Sequence, residues 1–375
     1  MTKAELNQNE LKALRRLAEP IIQSSDYQPS SSLLSSSHIG EAVSSMPVPE
    51  TPSAGVLVKI AYAGSCYTEG KSRSRRFTPQ FPGDEVAGTI HDIGNDLPNC
   101  NYTVGDKVII VPEPDSVGTG YAEYIPIEDT TRVIQIPNSV PLEVAAMLPG
   151  GALKAYAAVT CARPHVEKLR KVKSCVNVLV VGAGGLGLWT IKLAKYLMGR
   201  DNSSVRVFVA DNSIDRLLTA QDHGCYDIIH WNEEDHEQYI IERTLDSCRG
   251  GVDVIIDFIG SNRCMQRALK VLNRVSVLSE GLILVGGNST SETSISLNAL
   301  AAKQQSIVGI PQGNLNQLIE LLNAVADNEL EIPQYKVFPV EDANQVFEDL
   351  CENRLTGRAI FKFGSQSSTH VVDNH

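Results

Sequence analysis

The chain has no apolar run approaching the roughly 18 residues that a membrane-spanning helix requires. It has no excess of positive charge. Its 33 Lys and Arg stand against 44 Asp and Glu, a formal net charge of -11. That balance argues against a nucleic-acid groove or an anionic membrane as partner. The one basic cluster, Lys71 to Arg76, reads as a solvated loop. The opening residues MTKAELNQNE lack the charged-then-apolar order of a signal peptide. Eight cysteines are scattered without tight spacing, which excludes a disulfide framework as the reading and fits a reducing, cytoplasmic setting. The eight histidines form no triad or metal pattern, and His223, His230 and His236 read as solvated residues on an exposed edge.

What is present divides along the chain. A length of 375 residues exceeds one ordinary core and suggests about two domains. Residues 1–37 read as a flexible extension, with Leu11, Leu14, Leu17 and Ala18 near helical spacing before Pro20, then a serine-rich stretch from Ser24 to Ser37. From His38 the chain is β-rich. Strands are expected at Val56–Ile60, Val86–Ile93, Lys107–Val111 and Tyr121–Ile125, separated by Gly and Pro turns, as in a barrel.

From about Cys161 apolar strands alternate with helical stretches, at Val176–Val181, Val205–Ala210, Ile228–Ile229, Val252–Ile256, Leu282–Val285 and Ser306–Ile310. Runs such as VNVLVV suit strands covered on both faces, and the alternation predicts a doubly wound parallel sheet. The tail returns to the first character, with Ala343, Val346, Phe347, Leu350 and Cys351 on one helical face and a last strand at Gly357–Phe363. The expected division is 38–160 with 312–364 as one domain, 161–311 as the other, and 365–375 as a frayed tail.

The sharpest motif is VNVLVVGAGGLGLWTIKLAKYL. Gly182, Gly184 and Gly187 form G-x-G-x-x-G directly after an apolar strand, and Gly185 and Leu186 open the helix that follows. The first glycine permits the tight turn, the second lets backbone approach a pyrophosphate, and the third allows close helix–strand packing. The next strand, VRVFVAD, ends in Asp211. A carboxylate there accepts bonds from ribose hydroxyls and repels a 2′-phosphate, so NAD is the expected cofactor. Asp211 lies beyond the usual spacing of roughly 20 residues, and the insert MGRDNSSV absorbs the difference.

In order along the chain come VLVKIAYAGSCYTEG, PGDEVAGTIHDIG, YTVGDKV, GTGYAEY, AAMLPGGALKAYAAV and VEDANQVFEDLCENRLTGRAIFKF. Together these resemble the medium-chain dehydrogenase/reductase superfamily, which spans zinc alcohol and polyol dehydrogenases and quinone reductases. The resemblance runs from about His38 to Phe363. It implies a GroES-like β-barrel domain joined to a Rossmann domain, an active site in the cleft between them, and a chain end that packs back on the first domain. It also implies a homodimer and a small-molecule substrate. By motif it places Arg358 on the cofactor pyrophosphate and Arg216 near the adenosine ribose. Ile259, Val285 and Ile310 then line the nicotinamide pocket.

The departures from the pattern concern metal. The zinc-dependent members use a Cys, a His in G-H-E, and a later Cys or Glu. Here Cys66 is kept, the triplet reads Gly83-Asp84-Glu85, and the later position is Gly150. Cys66, Asp84 and Glu85 are nominally three ligands, but one thiolate and two carboxylates match zinc poorly. The segment IIVPEPDSVGTGY has none of the four cysteines of the second, structural zinc. The relay hydroxyl corresponds to Thr68, the relay histidine to Lys71, and a threonine near the nicotinamide to Lys154. The expected function is NAD(H)-dependent hydride transfer with an alcohol/carbonyl pair or an activated carbonyl, without zinc. Two alternatives stand beside it. One is a zinc-dependent dehydrogenase with atypical ligands, and the other a non-catalytic NAD(H)-binding sensor or scaffold.

Overall fold

The computed structural model describes residues 32–33, 44–45, 47–65, 85–98, 100–111, 121–199, 204–273, 280–287, 292–352 and 354–364. The helix expected around Leu11–Ala18, most of the serine-rich stretch, the basic cluster, Cys66, Thr68, Lys71, Asp84 and the tail after Gly364 lie outside them.

Two short strands, β1 (Ser32–Leu33) and β2 (Ser44–Ser45), pair with each other. The first large sheet has the order β14-β15-β3-β4-β5-β7, with β6 also on β3. Its members are β3 (Val56–Ser65), β4 (Val86–Ile93), β5 (Lys107–Ile110), β6 (Tyr124–Ile127), β7 (Val133–Gln135), β14 (Tyr335–Pro339) and β15 (Arg358–Lys362). β15 pairs antiparallel with β3, placing Ala359 opposite Ser65, so the end of the described chain completes the sheet that its beginning starts. Inside it Tyr121, Phe347 and Phe361 stack edge-on or tilted with centroids 5.4–5.9 Å apart, a favourable aromatic geometry. The Tyr121 hydroxyl donates to the Gly64 carbonyl at 3.0 Å.

The second sheet is wholly parallel, in the order β10-β9-β8-β11-β12-β13. Its strands are β8 (Val176–Val181), β9 (Val205–Asp211), β10 (Asp227–His230), β11 (Val254–Asp257), β12 (Gly281–Val285) and β13 (Gln305–Gly309). Taken by chain order this is 3-2-1-4-5-6, the doubly wound arrangement with its switch point between β8 and β11. All six residues of β8 are buried, which is why its pattern shows no alternation.

Several strand readings shift at their ends. The strand expected at Tyr121–Ile125 is Tyr124–Ile127, because Tyr121 turns inward as a core aromatic. The strand expected at Val252–Ile256 begins at Val254, and Val252 instead bridges to Leu272. The strand expected at Ser306–Ile310 is Gln305–Gly309. His223 is also corrected. It is no solvated histidine but a half-buried tie: Nδ1 meets the Thr219 carbonyl at 2.8 Å, and Nε2 accepts the Gln334 amide at 2.8 Å. Burial lowers its pKa.

Candidate active site

The carboxyl ends of β8, β11, β12 and β13 converge on one rim. β8 runs into Gly182, whose φ of +105° an L side chain rarely adopts. A side chain at Gly187 would overlap the Gly182 carbonyl oxygen, so only glycine lets the helix Gly185–Met198 sit this close to the turn. Around Gly184 nothing stands within 4 Å of where a Cβ would be. The helix start is therefore open beside Gly184, and the amides of Gly185, Leu186 and Gly187 have no carbonyl partner within the helix. This cradle fits a pyrophosphate, as its spacing implies.

Beside it, Ile259 lies against Gly182 and is 45% exposed. Gly286 is wedged between Phe258 and Ile310. Val285 ends β12, half-buried. Ile259, Val285 and Ile310 thus lie at three neighbouring strand ends, and the Ile310 amide donates to the Val285 carbonyl at 2.8 Å. Asp257, which sequence reasoning missed, fixes this turn. Its Oδ1 accepts the amides of Ile259 (2.8 Å) and Gly260 (3.0 Å). Asp257 is 0% exposed, and burial raises its pKa. A lone acid closing the apolar run VIID was the available signal.

At the far end of the crevice Asp211 is buried and engaged on both oxygens. Oδ2 accepts the Ala183 amide of the glycine turn at 2.7 Å. Oδ1 accepts the Ser213 amide at 2.9 Å and Arg216 through Nε (3.1 Å) and Nη2 (2.6 Å). Arg216 Nη2 also donates to Asn212 Oδ1 at 3.0 Å.

Between the two sheets lies a buried ion pair. Arg358, at the head of β15, bonds Glu85 through Nη2, and the Gly151 amide donates to Glu85 Oε1. Arg358 is 4% and Glu85 6% exposed. The π-helical turn Leu148–Ala152 wraps this carboxylate. A side chain at Gly150 or at Gly64 would overlap Glu85. The Arg358 side chain also crosses Gly185, where a Cβ would overlap its Cδ, so one guanidinium stem touches both the pyrophosphate cradle and the Glu85 pocket. Lys154 opens the helix Leu153–Arg170, half-buried, beside Leu153 on which Gly313 packs.

The described part of the family's metal position does not fit a zinc ion. Gly150 offers no donor, and the carboxylate of Glu85 is bound to Arg358 and to the Gly151 amide in the space a ligand at position 150 would use. With Glu85 so engaged, Cys66 and Asp84 would be two donors where a catalytic zinc takes about three.

Two family models match the chain: an alcohol dehydrogenase GroES-like domain over residues 52–168, and a zinc-binding dehydrogenase over residues 185–327. The chain is 25% identical over 352 residues to an NAD-dependent alcohol dehydrogenase of Sulfolobus acidocaldarius, covering 84% of this chain and 94% of that one. It is 25% identical over 341 residues to a D-arabinose 1-dehydrogenase (NADP(+)) of Saccharolobus solfataricus, covering 84% and 91%. The crystal structure of an alcohol dehydrogenase from Aeropyrum pernix superposes with a TM-score of 0.71 at 20% identity, over 88% of this chain and all of that one.

Proposed function

The chain belongs to the medium-chain dehydrogenase/reductase superfamily, and we propose from this and from its crevice that it is a nicotinamide-dependent oxidoreductase acting on an alcohol/carbonyl pair or an activated carbonyl, without zinc. One observation carries the reading: the Arg358 side chain lies against Gly185 of the glycine turn and bonds Glu85, whose carboxylate takes the space a side chain at Gly150 would use. The nicotinamide, when bound, supplies or takes the hydride.

The chain's own residues have four tasks in this proposal. Gly182, Gly184, Gly185, Leu186, Gly187 and Arg358 seat the pyrophosphate. Asp211 and Arg216 flank the ribose. Ile259, Val285 and Ile310 press on the nicotinamide and keep water from it. Charge developing on the substrate oxygen falls to Lys154 and Thr68, as oriented donors of the kind worth about 2.7–4 kcal/mol each in a transition state. That is ample for an activated carbonyl or enone. It is less so for a simple alcohol, whose hydroxyl must also lose a proton. Cys66, Asp84 and Glu85 are not assigned a metal. Among the described residues no helix is long and apolar enough to cross a membrane. A cytoplasmic homodimer with a small-molecule substrate is part of the same proposal.

The test mixes the protein with NADH and a panel of aldehydes, ketones, quinones and enones, and follows absorbance with and without a strong chelator. Turnover that survives chelation is expected, with Lys154→Ala reducing kcat by about 10²-fold or more. One tightly held zinc per chain, with activity lost in Cys66→Ala and untouched in Lys154→Ala, would overturn it. Cofactor binding with no turnover on any carbonyl would favour the sensor or scaffold.

A further inference from the structure

His223 ends the helix Ile214–Asp222 as its C-cap, and its ring bonds the chain that forms the other sheet. Nε2 lies 2.8 Å from the backbone nitrogen of Gln334, the residue before β14. An amide nitrogen can only donate, so Nε2 carries no proton and accepts. Nδ1 lies 2.8 Å from the Thr219 carbonyl, which can only accept, so the single ring proton sits there. The two partners fix His223 as one neutral tautomer.

Gln334 carries the contact onward. Its carbonyl accepts the Arg358 amide at 3.0 Å, and Tyr335 stands opposite Arg358 at the start of the parallel β14–β15 pair. Gly357, at a φ of +79°, lets the chain turn in against that carbonyl, where a Cβ would overlap the Gln334 oxygen. The guanidinium of Arg358 bonds Glu85, and its stem lies against Gly185 of the glycine turn. A line of contacts therefore runs from the end of a helix on the parallel sheet, through one residue, to the arginine beside the cradle.

We propose that His223 is a positioning residue for Arg358, acting through Gln334, and that it releases its hold when the ring takes a second proton. The proposal rests on the nicotinamide-dependent reading above, in which Arg358 seats the pyrophosphate. Protonation puts a hydrogen on Nε2 and sets two donors face to face, so the bond to Gln334 is lost. The charged groups facing the ring are Lys192 and Lys195 of the helix Gly185–Met198, Asp222 of its own helix, and Glu331 ahead of β14. Lys192 pairs with Glu331 at 2.5 Å, and Lys195 donates to the His223 carbonyl at 3.3 Å. Burial is the main cause that holds the ring below its ordinary value of 6.5, against the opposing bond to Thr219. The stability that the tie contributes is therefore fully present above 6.5, and it is lost as pH falls from there through the lowered folded value.

The experiment titrates the full chain from about pH 8 to about pH 5, for the parent, His223→Gln and His223→Leu. Glutamine offers an amide oxygen to Gln334 and takes no proton in this range. Two quantities are read: the NMR resonances of the Gln334 and Arg358 amides without cofactor, and the dissociation constant of NAD+ by calorimetry. In the parent both amides should shift in step with the His223 ring, and NAD+ affinity should fall by about 3- to 10-fold across the titration, the worth of one hydrogen bond. In His223→Gln the amides should stay in place and the affinity should vary by less than about twofold. His223→Leu cannot accept the Gln334 amide, so its affinity should be low at every pH. Parent amides that do not follow the ring overturn the proposal, as does a His223→Gln affinity that falls with pH as the parent's does. Should His223→Leu fail to fold, the parent and the glutamine variant still decide. A folded parent whose amides titrate as expected, yet which binds no NAD+ at any pH, would sink the functional reading while upholding the tie from His223 to Arg358.

Discussion

At the scale of single residues, the Glu85–Arg358 pair occupies the space that a side chain at Gly150 would take. Glu85 is held by a guanidinium and a backbone amide, and the absence of a side chain at Gly150 and at Gly64 makes room for it. Taking Glu85 out of this pairing would strand a buried guanidinium, which is costly. A back-substitution follows. Gly150→Cys restores the residue type that zinc-dependent members use, but its Cβ would overlap the Glu85 carboxylate, which cannot swing away without leaving Arg358. The variant should gain no zinc by elemental analysis and should lose about 1–3 kcal/mol of stability, the usual range for overpacking a filled core. A stoichiometric zinc with an unchanged melting temperature would contradict this account. The glycine motif and Asp211 were legible in the sequence because the chemistry of a dinucleotide cradle demands glycine at fixed spacing. The Glu85–Arg358 pair was not, since its partners are 273 positions apart and nothing local links them.

At the scale of elements, the helices covering the parallel sheet are held by specific charged clusters as well as by apolar faces. Glu237, in the first turn of the helix Glu237–Ser247, bonds Arg263 and Arg267 of the helix Asn262–Val271. Arg267 is only 3% exposed and stands over the Trp231 ring at 5.3 Å. The bond from Arg267 is the main reason the Glu237 carboxyl is held down at about 2. Because the folded value lies below the ordinary 4.5, the pairing stabilises the fold above that pH and is lost as pH falls towards about 2. Glu237 is 40% exposed, so solvent screens much of the effect. Denaturant unfolding of the parent and Glu237→Gln should therefore show a stability gap at neutral pH that closes near pH 2. A gap of constant size across that window would mean that packing, and not charge, couples the two helices. No sequence pattern announced this cluster, because each charge taken alone reads as a solvated helix face.

At the scale of the whole molecule, β13 is the outer strand of the parallel sheet and pairs only with β12 among the described residues. Its residues Ser306 and Val308 are exposed, Val308 by 44%. The neighbouring helix Leu297–Ala302 carries Leu297 at 78% exposure. An apolar strand edge of this kind invites pairing with a second copy across a two-fold axis. Light scattering at micromolar concentration should report a dimer mass for the parent and a monomer mass for Val308→Lys, since an edge lysine blocks such pairing. A monomeric parent would refute it.

The sequence by itself determined the two sheets and the glycine turn that follows β8. Those features are written in local terms: periodicity of apolar residues and glycines forced by a turn. The tertiary structure alone decided which charges meet. It buried Asp211 against Arg216, although the sequence assigns both to the ribose without coupling them. It turned Glu85 from a nominal ligand into the partner of Arg358, and set Asp257 to hold the turn that carries Ile259. The physical reason is that an isolated charge costs too much to bury, so each buried charge here is defined by its partners. The chain can bring those partners together only by folding.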